Sequence, residues 1–324
     1  MASQLGLKSR IASTTSLGKI FNAQEMIASS HIAKARTVAL NAKPYSDAIF
    51  DAVQSLAEHT DIDHPIVKSR EHNPRVAVLA LTSDRGMAGA YTSSIIRETE
   101  SLLARLDKVG KEPLLYVYGR RGVSYYRYRN RKIAATWEGN SDQPGAAVAK
   151  EISDRLLEDY MKPAAQGGVS ELYIIFTEFV NMVVQKVRVL RMLPVEVIKK
   201  HGDGKPVIEK PEPDAGESPD DVNDVTASAK VGITAPLYYF EPNIRKVLDA
   251  ILPKYVQARI HECLLTAAAS ETASRQNAMH TATDNANNLI DSLTRQLNAS
   301  RQASITQELT EIISSADALN KEEE

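Results

Sequence analysis

From Lys254 to Asn320 the chain contains neither glycine nor proline. A continuous helix over that run would be roughly 100 Å long at 1.5 Å per residue. One ordinary globular core cannot wrap such a rod, so helix-on-helix coiled-coil packing is the expected solution. Ile290, Leu293 and Leu297 recur at 3-4 spacing, and Ile305, Leu309, Ile312, Ala316 and Leu319 at 4-3-4-3. The two runs fall out of phase across Arg301–Ser304, where the stripe is polar. An interrupted heptad alters the local supercoil and leaves polar groups facing outward.

The other end of the chain has a similar character. Lys19–Lys43 is also free of glycine and proline and rich in alanine and straight-chain helix formers. Ile20, Ala23, Ile27 and Ser30 give a narrow stripe at 3-4-3 spacing. A long helix is predicted from about residue 3 to about residue 58, with Pro44 kinking it or tolerated by local adjustment. Lys8, Arg10, Lys19, Lys34, Arg36 and Lys43 stand against Glu25 alone before residue 44. The entire chain is nearly neutral at a formal −2, so this basic segment is a local solvated face or a dock for acidic surface.

Between these helices the period changes. Arg75–Thr82, Pro113–Tyr118 and Glu171–Phe179 are short apolar runs rich in β-formers, and Asn181–Val197 reads as a further strand. Helical stretches near Ser93–Val109 and Ala146–Met161 alternate with them, the pattern of a parallel α/β sheet. His201–Val231 is a different kind of segment: eight acidic residues interleave with Pro206, Pro211, Pro213 and Pro219. That composition cannot bury a core, so a mobile acidic loop is expected there. The resulting organisation is a helix over 1–60, a Rossmann-like α/β domain over 74–200, the loop over 201–232 and a helix over 241–320.

Motifs for chemistry are weak throughout. Ser83–Thr92 (SDRGMAGAYT) follows a strand and leads into a helix, as phosphate-binding turns do. It has no GxGxxG and no GK followed by Ser or Thr, so a tight turn at Gly86 and Gly89 is the better reading. His59, Asp61, Asp63, His64 and His72 suit no helix-borne metal ligand pair. Cys263 is the only cysteine; it permits no internal disulfide and reads as a small packed hydrophobe in an alanine-rich helix. Tyr116, Tyr118, Tyr125, Tyr126 and Tyr128 among Arg120, Arg121, Arg127, Arg129 and Arg131 could stack single-stranded nucleic acid. No RRM or OB signature accompanies them, so a solvated face beside the sheet is preferred. No run approaches 18 apolar residues, so no membrane span is expected. No catalytic set, cofactor or metal is assigned.

Three motifs in order carry a family resemblance. Arg301–Ile312 (RQASITQELTEI) resembles the C-terminal signature of F-type ATP synthase gamma subunits of bacterial type. Ala282–Leu289 (ATDNANNL) resembles the same family's ATDNA motif, and Lys8–Ala12, Lys19–Ile20, Ala23 and Glu25–Ser29 fit its first helix. SDRGMAGAYT is similar to its T-D-R-G-L-C-G-G-L-N turn, with Met87, Ala88, Ala90, Tyr91 and Thr92 departing from it. The resemblance implies an antiparallel coiled-coil shaft of the two terminal helices with the α/β domain at its foot, and no catalysis by the chain itself. The implied partners are three alpha and three beta subunits, epsilon and the membrane c-ring. The implied location is peripheral, on the cytoplasmic face of the bacterial plasma membrane. Arg275, Arg301, Gln302, Thr306 and Glu308 are implied to meet beta loops, with Glu311 about one turn beyond. Two rival classes are a nucleotide-binding domain with helical arms, opposed by the missing fingerprint, and a free-standing coiled-coil scaffold or nucleic-acid binder. The second has no need of the polar break.

Overall fold

The computed structural model of the chain describes residues 4–58, 66, 73–195 and 244–322. Two helices dominate it: α1, Gln4–Glu58, and α5, Ile244–Glu322. Their lengths of 55 and 79 residues correspond to roughly 80 and 120 Å. Pro44 and Pro253 lie inside them without ending either helix. Hydroxyl side chains are absorbed by the helix itself: Thr14 donates to Arg10 O, Thr15 to Ile11 O and Thr37 to Ala33 O at 2.8–2.9 Å. This back-bonding removes the usual competition between Ser/Thr and the helical ladder.

The helices pair antiparallel. Glu25 faces His280 at 3.0 Å, the Ser46 hydroxyl donates to Glu262 at 2.6 Å, and a Cβ on Gly18 would meet the Ala286 methyl at 3.5 Å. The shielded positions of α1 include an unbroken 4-3 repeat, Leu7, Ile11, Thr14, Gly18, Phe21, Glu25, Ala28, Ile32, Ala35, Ala39, Ala42, Ser46, Ile49 and Val53, flanked by part-buried residues such as Thr15, Gln24, His31 and Phe50. The stripe expected from sequence, Ile20, Ala23, Ile27 and Ser30, lies on the outer face; Ile20 is 52% and Ile27 49% exposed. Gly18, Ala28 and Ala35 let the two backbones approach, and Leu7, Phe21, Ile32 and Val53 fill the seam between them. On α5 the expected Ile290, Leu293 and Leu297 do form the seam, which continues through Ser300 to Ser304.

The middle of the chain forms a five-stranded sheet: β1 Arg75–Leu81, β2 Glu112–Tyr118, β3 Ala135–Trp137, β4 Glu171–Phe179 and β5 Gln185–Leu193. Its order is β3-β2-β1-β4-β5; the first four strands are parallel, and β5 returns antiparallel to β4. Helices α2, Tyr91–Lys108, α3, Arg120–Tyr128, and α4, Ala146–Met161, complete the domain. Alternate residues of β1 serve two cores, as the period of 2 requires. Val76, Val78 and Ala80 pack with Ile95, Leu103, Val123 and Tyr126 of α2 and α3. Ala77, Leu79 and Leu81 pack with Ile152 and Leu156 of α4 and with Leu252, Val256, Ile260 and Leu264 of α5. Helix α5 is therefore a sheet-covering helix along its first part and the long arm of the coiled coil beyond.

Elements α2, α4, β1, β2 and β4 stand close to their predicted places. Strand β3 and helix α3 were not anticipated, and Asn181–Val184 forms a turn, with Asn181 Oδ1 accepting from Val183 N and Val184 N at 2.9 and 2.7 Å. The hairpin between β4 and β5 is tied to α5 by Asn277 Nδ2 donating to Met182 O at 2.7 Å and by Ser274 Oγ donating to Gln185 Oε1 at 3.2 Å. Cys263 is buried, and burial pushes its thiol up to about 12. The expected loop at 201–232 and His59, Asp61, Asp63, His64 and His72 lie outside the described residues. Among the described residues no group of three His, Cys, Asp or Glu could hold a metal, and no helix is long and apolar enough to cross a membrane.

Candidate functional site

The candidate contact residues separate into two environments. Extending the antiparallel register brings Gln4, the first described residue of α1, level with about residue 300 of α5. The last twenty or so residues of α5 thus project beyond α1 as a single helix of roughly 30 Å. Arg301, Gln302, Thr306, Glu308 and Glu311 all lie at this transition and are exposed. Thr306 bonds back to Gln302 O at 2.9 Å, Ser304 Oγ reaches Glu308 Oε1 at 3.4 Å, and Gln307 Nε2 donates to Glu311 Oε1 at 3.0 Å. These are local helix bonds, and they leave the Arg301 guanidinium and the Gln302 amide directed at solvent. Around them Ile305, Leu309, Ile312 and Ile313 are exposed too, the second at 54%. The end of α1 explains this: past Ser304 every residue through Ser314 is exposed, the would-be seam positions Gln307 and Glu311 included.

Arg275 lies in the other environment. It is 8% exposed and pairs with Glu271, itself 1% exposed, one turn earlier on α5. The pair lies where α5 crosses the carboxyl ends of the sheet strands. Burial holds the Glu271 carboxyl above its usual range, opposed by the charge and hydrogen bond of Arg275. Buried Tyr91 at the start of α2 has its phenol raised by burial and then by the Glu271 charge. A guanidinium so enclosed presents little surface to another subunit.

The same crevice is where doubly wound sheets hold ligands, outside the carboxyl ends of their strands. Here it is occupied. Gly89, at φ +54°, brings the Ser83–Thr92 turn against α5, where its Cβ would lie 3.4 Å from the Ala278 methyl. Ser270 Oγ donates to Thr177 O at 2.9 Å, closing the β4 end. Gly119, at φ +99°, lets β2 turn into α3 so tightly that a Cβ there would sit 2.3 Å from Thr82 O. Asp84, Ser141 and Glu271 organise this region, and the sequence reading passed over all three. The available signal was a carboxylate, Asp84, set between a buried strand and a glycine turn.

The tyrosine–arginine segment forms no stacking platform. Tyr116, Tyr118 and Tyr126 are core residues, and the Tyr116 hydroxyl donates to Asp159 at 2.7 Å. Arg120 and Arg131 pair with Glu138 and Glu100, both at 3.4 Å, while Arg129 lies over the Tyr125 ring.

A two-helix shaft rooted in an α/β domain with a closed ligand crevice defines a class of stalk-forming subunits, built to hold or turn other parts. A family model described as ATP synthase matches residues 3–319. The ATP synthase gamma chain of Bifidobacterium adolescentis is 75% identical over the full length of both chains, and that of Beutenbergia cavernae 49% identical over 96% of each. In solved structures, a chain of the Euglena gracilis mitochondrial ATP synthase (OSCP/F1/c-ring, rotational state 3) superposes with a TM-score of 0.66 at 14% identity, over 99% of this chain and 96% of that one. A chain of the Tetrahymena thermophila mitochondrial ATP synthase central stalk and c-ring gives 0.54 at 17% identity, over 81% and 99%. The structural likeness is one of fold, and the sequence relationship fixes the family: the chain belongs to the ATP synthase gamma chains.

Proposed function

We propose that this chain is the central rotor shaft of a proton-translocating ATP synthase. It transmits torque between the membrane c-ring and the catalytic beta subunits and performs no chemistry itself. Its partners on this reading are three alpha and three beta subunits around the shaft, with epsilon and the c-ring at the foot. The assembly lies peripherally on the cytoplasmic face of the bacterial plasma membrane. One observation carries the reading: α5 runs without interruption from the core of the α/β domain to the projecting tip. Torque applied at the foot therefore reaches the tip through one continuous hydrogen-bonded ladder.

Arg301, Gln302, Thr306 and Glu308 are the proposed contacts to beta loops, with Glu311 one turn further; Arg275 is left out because it is enclosed. Charge-assisted bonds of an Arg to a carboxylate contribute about 1.5–3 kcal/mol. Formed in some rotary positions and not others, they would favour one state over the next. The test is Arg301→Ala with Gln302→Ala in the assembled enzyme. Synthesis and hydrolysis should both fall, while the helical signal of the isolated chain is unchanged, since exposed substitutions usually stay within about 0.5 kcal/mol. Full turnover would remove the contact assignment.

A further inference from the structure

Where α5 leaves the domain, three of its polar side chains fall in one row. Ser270, Ser274 and Asn277 follow a 4-3 spacing, which puts them on one face of the helix. All three bond to the hairpin of β4 and β5. Ser270 Oγ donates to Thr177 O at 2.9 Å, Ser274 Oγ to Gln185 Oε1 at 3.2 Å and Asn277 Nδ2 to Met182 O at 2.7 Å. The hairpin is braced where it takes these bonds. Gln185 Nε2 donates to Asn181 O at 3.1 Å and to Met182 O at 3.0 Å, so one side-chain amide links α5 to the turn. Across the strands Arg188 pairs with Glu178 at 2.7 Å, and the β4–β5 ladder runs unbroken from Phe179 and Gln185 to Tyr173 and Arg191.

We propose that this row is the key by which the α/β domain turns the shaft: Ser270, Ser274 and Asn277 are positioning residues that fix the rotation of α5 relative to the sheet. The proposal rests on the rotor reading above. Below the row, α5 meets the sheet through Leu252, Val256, Ile260 and Leu264. Apolar burial resists separation of the two surfaces but is non-directional, so it opposes a twist of the helix about its own axis weakly. Hydrogen bonds depend on angle as well as distance and weaken steeply when misaligned. Twisting α5 therefore strains the polar row before it uncovers apolar surface. Two of the three acceptors are main-chain carbonyls, Thr177 O and Met182 O, so the load passes into the hairpin backbone. One residue beyond Asn277, the Gly89 turn packs on Ala278, with 3.4 Å between a Cβ on the glycine and the alanine methyl. Two loops thus hold α5 at one height, about 100° apart around the helix.

The test uses the full chain assembled with unaltered partner subunits, the ring of alpha and beta subunits fixed to a surface and a bead attached to the α/β domain. The quantity read is the angular variance of the paused rotor. From Asn277 to Arg301 the free shaft spans about 36 Å; Ser274→Ala with Asn277→Ala moves the last polar hold back to Ser270 and lengthens it to about 46 Å. The angular variance of an elastic rod grows with its free length, so it should rise about 1.3-fold in this variant. Ser274→Cys with Gln185→Cys is the second variant. The two side chains meet at 3.2 Å, and the native Cys263 is buried. Oxidised to a disulfide with diamide, this rotor should fluctuate no more than the original; reduced with dithiothreitol, it should fluctuate more. A Ser274→Ala, Asn277→Ala rotor with the original variance would overturn the proposal, whether or not the free chain melts lower. So would a disulfide that leaves the variance of the reduced rotor unchanged. An unaltered chain that does not turn in the ring when ATP is supplied would remove the rotor reading, and the proposal with it.

Discussion

Replacing Arg275 by Met isolates the energetics of the junction between shaft and domain. Methionine keeps an unbranched apolar stem and removes the guanidinium and its charge. Glu271 then remains 1% exposed, with Oε1 stripped of its partner and Oε2 already without one. Removing one partner of a buried pair typically costs about 3–5 kcal/mol, because the survivor is left uncompensated. At roughly 2–4 °C per kcal/mol for chains of this size, the melting temperature should fall by about 6–20 °C. The pH dependence has a definite sign. Burial already raises the Glu271 carboxyl in the folded chain, and Arg275 opposes that shift; without the arginine the rise is larger. A group raised in the folded state binds more protons there than in the unfolded chain, so its stabilising share is present in acid and lost as pH rises through the folded value. The Arg275→Met penalty should therefore be smaller near about pH 5 than near about pH 8. Thermal unfolding of the full chain by circular dichroism across that range is the assay. Adding Glu271→Leu should recover most of the loss, since apolar replacement of both partners is often neutral or better. A single variant that melts with the original at every pH, or a double variant no better than the single, would refute the reasoning.

Gly119→Ala should destabilise the chain by at least about 2 kcal/mol in denaturant unfolding, because its φ of +99° and the 2.3 Å approach to Thr82 O leave no room for a methyl group. The seam register gives a paired test on adjacent residues: Ile27→Ala should change stability by no more than about 0.5 kcal/mol. Ala28→Leu should cost about 1–3 kcal/mol by overpacking. The opposite ranking would place the seam on the stripe through Ile20, Ala23, Ile27 and Ser30.

The long elements were legible because their signals are long. The absence of glycine and proline over Lys254–Asn320 was enough to place α5, and the lost phase at Arg301–Ser304 was visible before any partner helix was known. The seam of α1 was not legible. Periodicity ranks side chains by hydrophobicity, whereas two closely paired helices select for small volume, so Gly18 and Ala28 carried less signal than Ile20 and Ile27. Strand β3 has three residues, too few for alternation to register. The antiparallel sense of β5 depends on the Asn181 turn, and strand composition does not encode direction. The site divided along the same line. The polar break at Arg301–Ser304 is a local pattern. The enclosure of Arg275 depends on a domain some 100 residues away in sequence.

The unequal lengths of α1 and α5 make the rod mechanically graded. Where two helices run side by side, twisting one drags the other across a packed seam, and the pair resists as a beam. Beyond about residue 300 a single helix carries the load, and it yields more per unit of torque. Such a rod behaves as a stiff axle ending in a soft spring. Strain would accumulate first in the projecting tip, and Arg301 and Gln302 sit at the point where the stiffness drops.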